Sequence, residues 1–117
     1  MPSELRQIFF SALEVLAAIK EHRRRVRKPL PTGTIVRFEI AEKEPLFVVI
    51  EITDDETGSR NNYKIGAEAL GAALILFCID HKIPMPVEAN KSLRREGGGL
   101  CLVVEIANTV RKSPGGR

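Results

Sequence analysis

Residues 66–82 read GAEALGAALILFCIDHK, and the packing of this stretch decides how the rest of the chain is arranged. No charge falls between Glu68 and Asp80. At about 100° per residue, Leu70, Leu74, Phe77 and Cys78 share one side of a helix, with Ile75 at its margin. Leu76 and Ile79 fall on the other side. A helix that is apolar nearly all round is either sandwiched within one core or shared between two subunits.

Upstream of this helix the period changes from helical to alternating. In TIVRFEIA, Val36, Phe38 and Ile40 alternate with Arg37 and Glu39, the pattern of a half-buried strand. EKEP makes a turn. LFVVIEIT then sets Leu46, Val48, Ile50 and Ile52 on one face and Phe47, Val49 and Glu51 on the other. After the turn DDETGS, Tyr63 and Ile65 share a face of RNNYKI. Three strands joined by short turns make an antiparallel meander. Downstream, Pro84 and Pro86 hold the chain extended. KSLRRE and LCLVVEIA, joined by Gly97-Gly98-Gly99, read as a final hairpin.

The N-terminal segment reads as a helix capped by Ser3, with Glu4 in its first turn. Leu5, Ile8, Phe9, Ala12, Leu13, Leu16 and Ile19 form its stripe, and Pro29 and Pro31 end it. The predicted order is α-β-β-β-α-β-β. The expected fold is α+β: an antiparallel sheet of about five strands with two helices packed on one face. Residues 1–107 are expected to form a single domain and 108–117 a flexible tail.

Composition places the chain among ordinary globular domains, with 44% hydrophobic and 28% charged residues. Six aromatic residues, five Phe and one Tyr, leave little for base stacking. Cys78 and Cys101 sit in the two most apolar segments, and buried thiols in a reducing cytosol are the expected reading. A cytoplasmic location without a membrane span follows, because Glu4 and Arg6 interrupt any leader and 66–79 is too short to cross a bilayer. Charge is segregated. Residues 1–37 carry eight Lys/Arg against three acids, residues 38–59 one against seven, and residues 91–117 six against two.

The densest charge is Arg23, Arg24, Arg25, Arg27 and Lys28, beside His22. As a functional site this is a phosphate-contacting patch, extended by Arg94, Arg95, Arg111 and Lys112 if the last hairpin lies alongside. The plainer reading is a helix C-terminus carrying cations that suit its dipole. Arg23 and Arg25 fall on opposite sides of a helix, so the plainer reading is favoured. DDETGSRNNYKI has glycine at its fifth position and Ile65 at its twelfth, which is not a calcium loop. Neither His22 nor His81 has an acid or cysteine at i+3 or i+4, and capping is the expected role of His81. Gly97-Gly98-Gly99 joins two strands and is not a phosphate loop. No residue set calls for a metal or a cofactor.

The order α-β-β-β-α is similar to that of double-stranded-RNA-binding domains. Their lysine cluster at the start of the second helix has no counterpart in IGAEALGAA, so no function is carried over. Helix, three strands, helix and two strands is also similar to the order in small dimeric chaperones of bacterial secretion systems. That resemblance implies a partner-binding dimer, although those proteins usually add a last helix and are acidic.

The expected function is therefore a small non-enzymatic protein-interaction or regulatory module. Its partner is itself, as a homodimer, or another protein, through a surface containing Phe10, Phe47, Val49, Leu76 and Ile79. The alternative is a nucleic-acid-binding protein that uses the basic end of helix 1 and the C-terminal hairpin.

Overall fold

The structure, a computed structural model, describes residues 4–41, 43–86 and 89–106. Its elements run β1 (Glu4–Phe10), α1 (Ala12–Arg25), β2 (Thr34–Ile40), β3 (Phe47–Thr53), β4 (Arg60–Gly66), α2 (Ala67–Asp80), β5 (Asn90–Glu96) and β6 (Gly99–Ile106). The α+β class is as expected. The single five-stranded sheet is not: the strands form two three-stranded antiparallel sheets, ordered β1-β6-β5 and β2-β3-β4. A strand, β1, also precedes the first helix, where the sequence predicts helix; from α1 onward the elements follow the expected order α-β-β-β-α-β-β.

The cause lies at Ser11. Its hydroxyl accepts from the Glu14 N–H at 3.2 Å, and its own N–H donates to Glu14 Oε1 at 2.8 Å. This reciprocal capping box starts α1 at Ala12. Residues 4–10 are thereby left extended, pairing with β6 from Glu4 opposite Ile106 to Phe10 opposite Leu100. Ile8 and Phe10 turn inward, while Leu5 and Phe9 stay exposed on the outer face. Within α1 the buried residues are Val15, Ala18 and Ile19. Leu13, expected on the buried stripe, is 78% exposed.

Both helices end through backbone geometry, ahead of any proline. In α1, Lys28 N–H donates to Arg23 O (2.8 Å) and Arg27 N–H to Arg24 O (3.2 Å), with Arg27 left-handed at φ 63°. In α2, Ile83 N–H donates to Cys78 O (2.8 Å) and Lys82 N–H to Ile79 O (3.1 Å), with Lys82 at φ 59°. These are paired Schellman closures that satisfy the last carbonyls. They place the end of α1 at Arg25, short of Pro29.

One apolar core joins the elements. Val48, Ile50 and Ile52 of β3 and Leu100, Leu102 and Val104 of β6 belong to the same buried cluster as Leu70, Ala73, Leu74 and Cys78 of α2. The meander and the final hairpin form as the alternation predicts, and Ile65 is buried while Tyr63 is half-buried on the shared face. Gly97, at φ 58°, turns the β5–β6 hairpin with Gly98. The expected tail, 108–117, lies outside the described residues.

Gly99 shows how closely β1 approaches the hairpin: a Cβ there would collide with the Phe10 carbonyl, whereas one on Gly98 meets nothing. Gly99→Ala is therefore expected to destabilise the fold by about 1–3 kcal/mol through overpacking. Gly98→Ala should cost less. Urea unfolding of the two variants checks this. Equal midpoints would contradict the β1–β6 pairing.

Candidate interaction surface

The five residues expected on a partner surface do not lie on one face. Phe10 is 4% exposed and meets the Phe77 ring edge-to-face at 5.7 Å, so its partner is internal. Its expected place on a partner surface is corrected by the start of α1 at Ala12, which leaves Phe10 as the buried last residue of β1. Phe47 and Val49 are half-buried on the outer face of β3. The Lys64 ammonium stands 4.5 Å from the centre of the Phe47 ring. Leu76 is half-buried in a cleft between the helices, with Ala17, Ala18, Glu21, Ala73, Phe77, Asp80 and His81. Ile79 alone of the five stands out, at 59% exposed.

The circumference of α2 is thus shared among three neighbours. Its buried line, Leu70, Ala73, Leu74 and Cys78, faces the core. On its second flank, α1 covers Leu76 and Ala73. On its third, a groove of about 570 Å³ runs beside β5, lined by Leu46, Gly71, Ala72, Ile75, Leu93 and Leu102, with Glu44, Glu68 and Lys91 at its rim. Diametrically opposite the buried line are Glu68, Ala72 and Ile79, with Gly71 and Ile75 beside them. A surface helix normally carries ionised residues there. Here one residue of the five is charged.

The basic end of α1 is engaged within the chain. Arg24 Nε donates to Glu21 Oε1 at 3.0 Å, and Arg25 Nε to Glu21 Oε2 at 2.7 Å. Arg25 Nη2 also reaches Asp80 Oδ2 of α2 at 2.9 Å, tying the two helices together. The Arg23 guanidinium lies 5.6 Å from the Tyr63 ring centre. Arg27 and Lys28 form the turn that closes the helix.

On the hairpin, Arg94 Nε donates to Glu96 Oε1 at 3.0 Å, and Arg95 sits near Ala12 at the opposite end of α1. The 14-residue helix spans about 21 Å, so the two basic groups do not merge into one patch. Arg111 and Lys112 lie outside the described residues.

The remaining candidates have structural roles. His81 Nδ1–H donates to Phe77 O at 2.8 Å and the ring stacks on Phe77 at 3.9 Å, the capping role read from the sequence. Asp54 Oδ1 accepts from the Glu56 and Thr57 N–H groups in the β3–β4 turn, which holds its carboxyl below the ordinary range. Cys78 and Cys101 are free and buried, and burial pushes both thiols up. Among the described residues no three His, Cys, Asp or Glu side chains gather as a metal site. No described helix is long and apolar enough to cross a membrane.

Hydrogen bonds from Arg24 and Arg25 lower the Glu21 carboxyl to about 2. An acid whose folded pKa lies below its unfolded value stabilises the fold above the unfolded pKa, and that contribution fades as pH falls toward the folded one. Carbon-detected NMR titration should place the Glu21 midpoint near 2. Glu21→Gln should remove its share of the stability gained between pH 2 and 5. A midpoint in the ordinary glutamate range would mean that the arginines are not held.

No family model matches the chain, and neither do the curated proteins or the solved structures with which it was compared.

Proposed function

We propose that this protein is a non-enzymatic interaction module that works as a homodimer, paired about a two-fold axis through the outer line of α2. The observation that carries this reading is Ile79, 59% exposed on the side of the helix farthest from the core. Gly71, Ala72 and Ile75 share that side of the helix, with Glu68 as its one charge.

A two-fold contact must be complementary to itself. With two copies of α2 antiparallel and Ile75 on the axis, positions whose numbers sum to 150 face each other. Ile79 of each copy then falls opposite Gly71 of the other, a large side chain against a missing one. Antiparallel helices also set opposite macrodipole ends together. The groove beside Gly71 and Ile75 gives the incoming Ile79 a place to be buried. Full burial of such a side chain contributes about 1.5–3 kcal/mol, and the two-fold axis doubles it.

Sedimentation equilibrium tests the pairing. The wild-type chain should be dimeric at micromolar concentration and Ile79→Glu monomeric. The circular dichroism of the variant should be unchanged, since an exposed substitution typically shifts stability by no more than about 0.5 kcal/mol. A wild-type chain that stays monomeric at high concentration overturns the proposal. So does an Ile79→Glu variant that remains a dimer.

A further inference from the structure

A second cleft, far from the outer line of α2, is lined by five consecutive residues of one strand and the loop after it: Arg37, Phe38, Glu39, Ile40 and Ala41. Phe47 and Val49 of β3 line it too, so the cleft lies over the outer face of the β2–β3 pair, and its contact with Phe38 and Ile40, whose side chains face the other way, brings it round to the strand's edge. Among the described residues β2 is an edge strand, paired only with β3. Ala41 N–H donates to Phe47 O at 2.8 Å, and the antiparallel register places Glu39 opposite Val49 and Arg37 opposite Glu51. The alternation of an antiparallel ladder turns the backbone groups of 37, 39 and 41 toward β3. Those of Phe38 and Ile40 face outward, into the cleft.

The far wall is formed by Ala12 at the start of α1 and by Arg95 and Gly98 at the tip of the β5–β6 hairpin. The volume is about 590 Å³, within the range of about 300–1,000 Å³ typical of ligand clefts. Two cations line the cleft. Arg37 is committed to Glu39 at 2.7 Å, while Arg95 has no ion-pair partner among the described residues.

We infer that this cleft binds an extended peptide segment of a partner protein. The segment adds as a strand to the free edge of β2, bonding to the backbone of Phe38 and Ile40. One of its acidic side chains pairs with Arg95. Main-chain bonds supply affinity in such strand addition, and the side chain that meets a fixed charge supplies selectivity. This inference concerns a different face from the α2 pairing and does not depend on it.

The test uses the full chain and the blocked peptide acetyl-Thr-Val-Glu-Val-Thr-amide, followed by nitrogen–proton NMR. Expected are saturable shifts centred on the Phe38 and Ile40 amides. N-methylation of the peptide backbone should abolish binding. Replacement of its Glu by Gln, or Arg95→Ala in the protein, should each weaken it about tenfold, the loss of one charge-assisted hydrogen bond. Arg94→Ala, on the opposite face of the hairpin, should leave binding unchanged. Shifts that spare Phe38 and Ile40, equal binding of the N-methylated peptide, or no binding at millimolar peptide each overturn the inference. The Ile79→Glu variant should bind the peptide as the wild type does, so this test and that of the α2 pairing can fail separately.

Discussion

Among the described residues the two sheets share no hydrogen-bonded strand, so side-chain packing holds them together, and α2 is the joint. Leu70, Ala73, Leu74 and Cys78 enter the same core as the inward residues of β3 and β6. Backbone ladders stabilise each sheet separately, but the relative placement of the sheets depends on apolar burial, which has no direction of its own. Direction comes from the connections. Gly66 ends β4 and serves as the N-cap of α2, so the helix leaves one sheet with no intervening loop. Beyond its C-terminus the chain returns to the other sheet as β5. The Arg25–Asp80 bond and the Phe10–Phe77 contact then fix α1 against α2.

Much of this was legible in the residues. The alternation in 34–65 gave the meander, and the glycines at 97–99 gave the last hairpin. The error lay in 4–10, where Leu5, Ile8, Phe9, Ala12 and Leu13 satisfy a helical period while Ile8 and Phe10 also satisfy a strand's. Short apolar runs are ambiguous in this way. The deciding signal was local and present: Ser11-Ala-Leu-Glu14, a capping box that starts a helix where it stands. Once 4–10 is a strand, it supplies β6 with a second partner, and three strands close a sheet of their own. The division into two sheets was not legible, because pairing partners are set by long-range packing that no local pattern encodes.

Of the candidate sites, the outward place of Ile79 and the core line of α2 were legible in the residues, and the β2 cleft was not. Periodicity places a side chain on a face; it does not say which backbone edge a distant hairpin tip will stand beside. The basic run shows the opposite failing. Five cations within six residues look like a surface patch, yet a single glutamate one turn earlier holds two of them. An aromatic ring in β4 lies under a third. The i,i+3 and i,i+4 spacing from Glu21 to Arg24 and Arg25 was readable in the chain. The Tyr63 contact required the fold.

Charge and apolar surface are therefore arranged against the usual pattern of a small domain. Cations crowded at one helix end are turned onto neighbouring acids and a ring, so they offer less free charge to a polyanion than their number suggests. The side of α2 that would ordinarily carry charge carries Ala72, Ile75 and Ile79 instead. Scattered exposed hydrophobic residues need no explanation. A line of them on one helix, beside a groove, differs because it is ordered along an axis. Size reverses from one end of that line to the other, from Ile79 to Gly71. That reversal is the property a surface needs in order to fit a copy of itself.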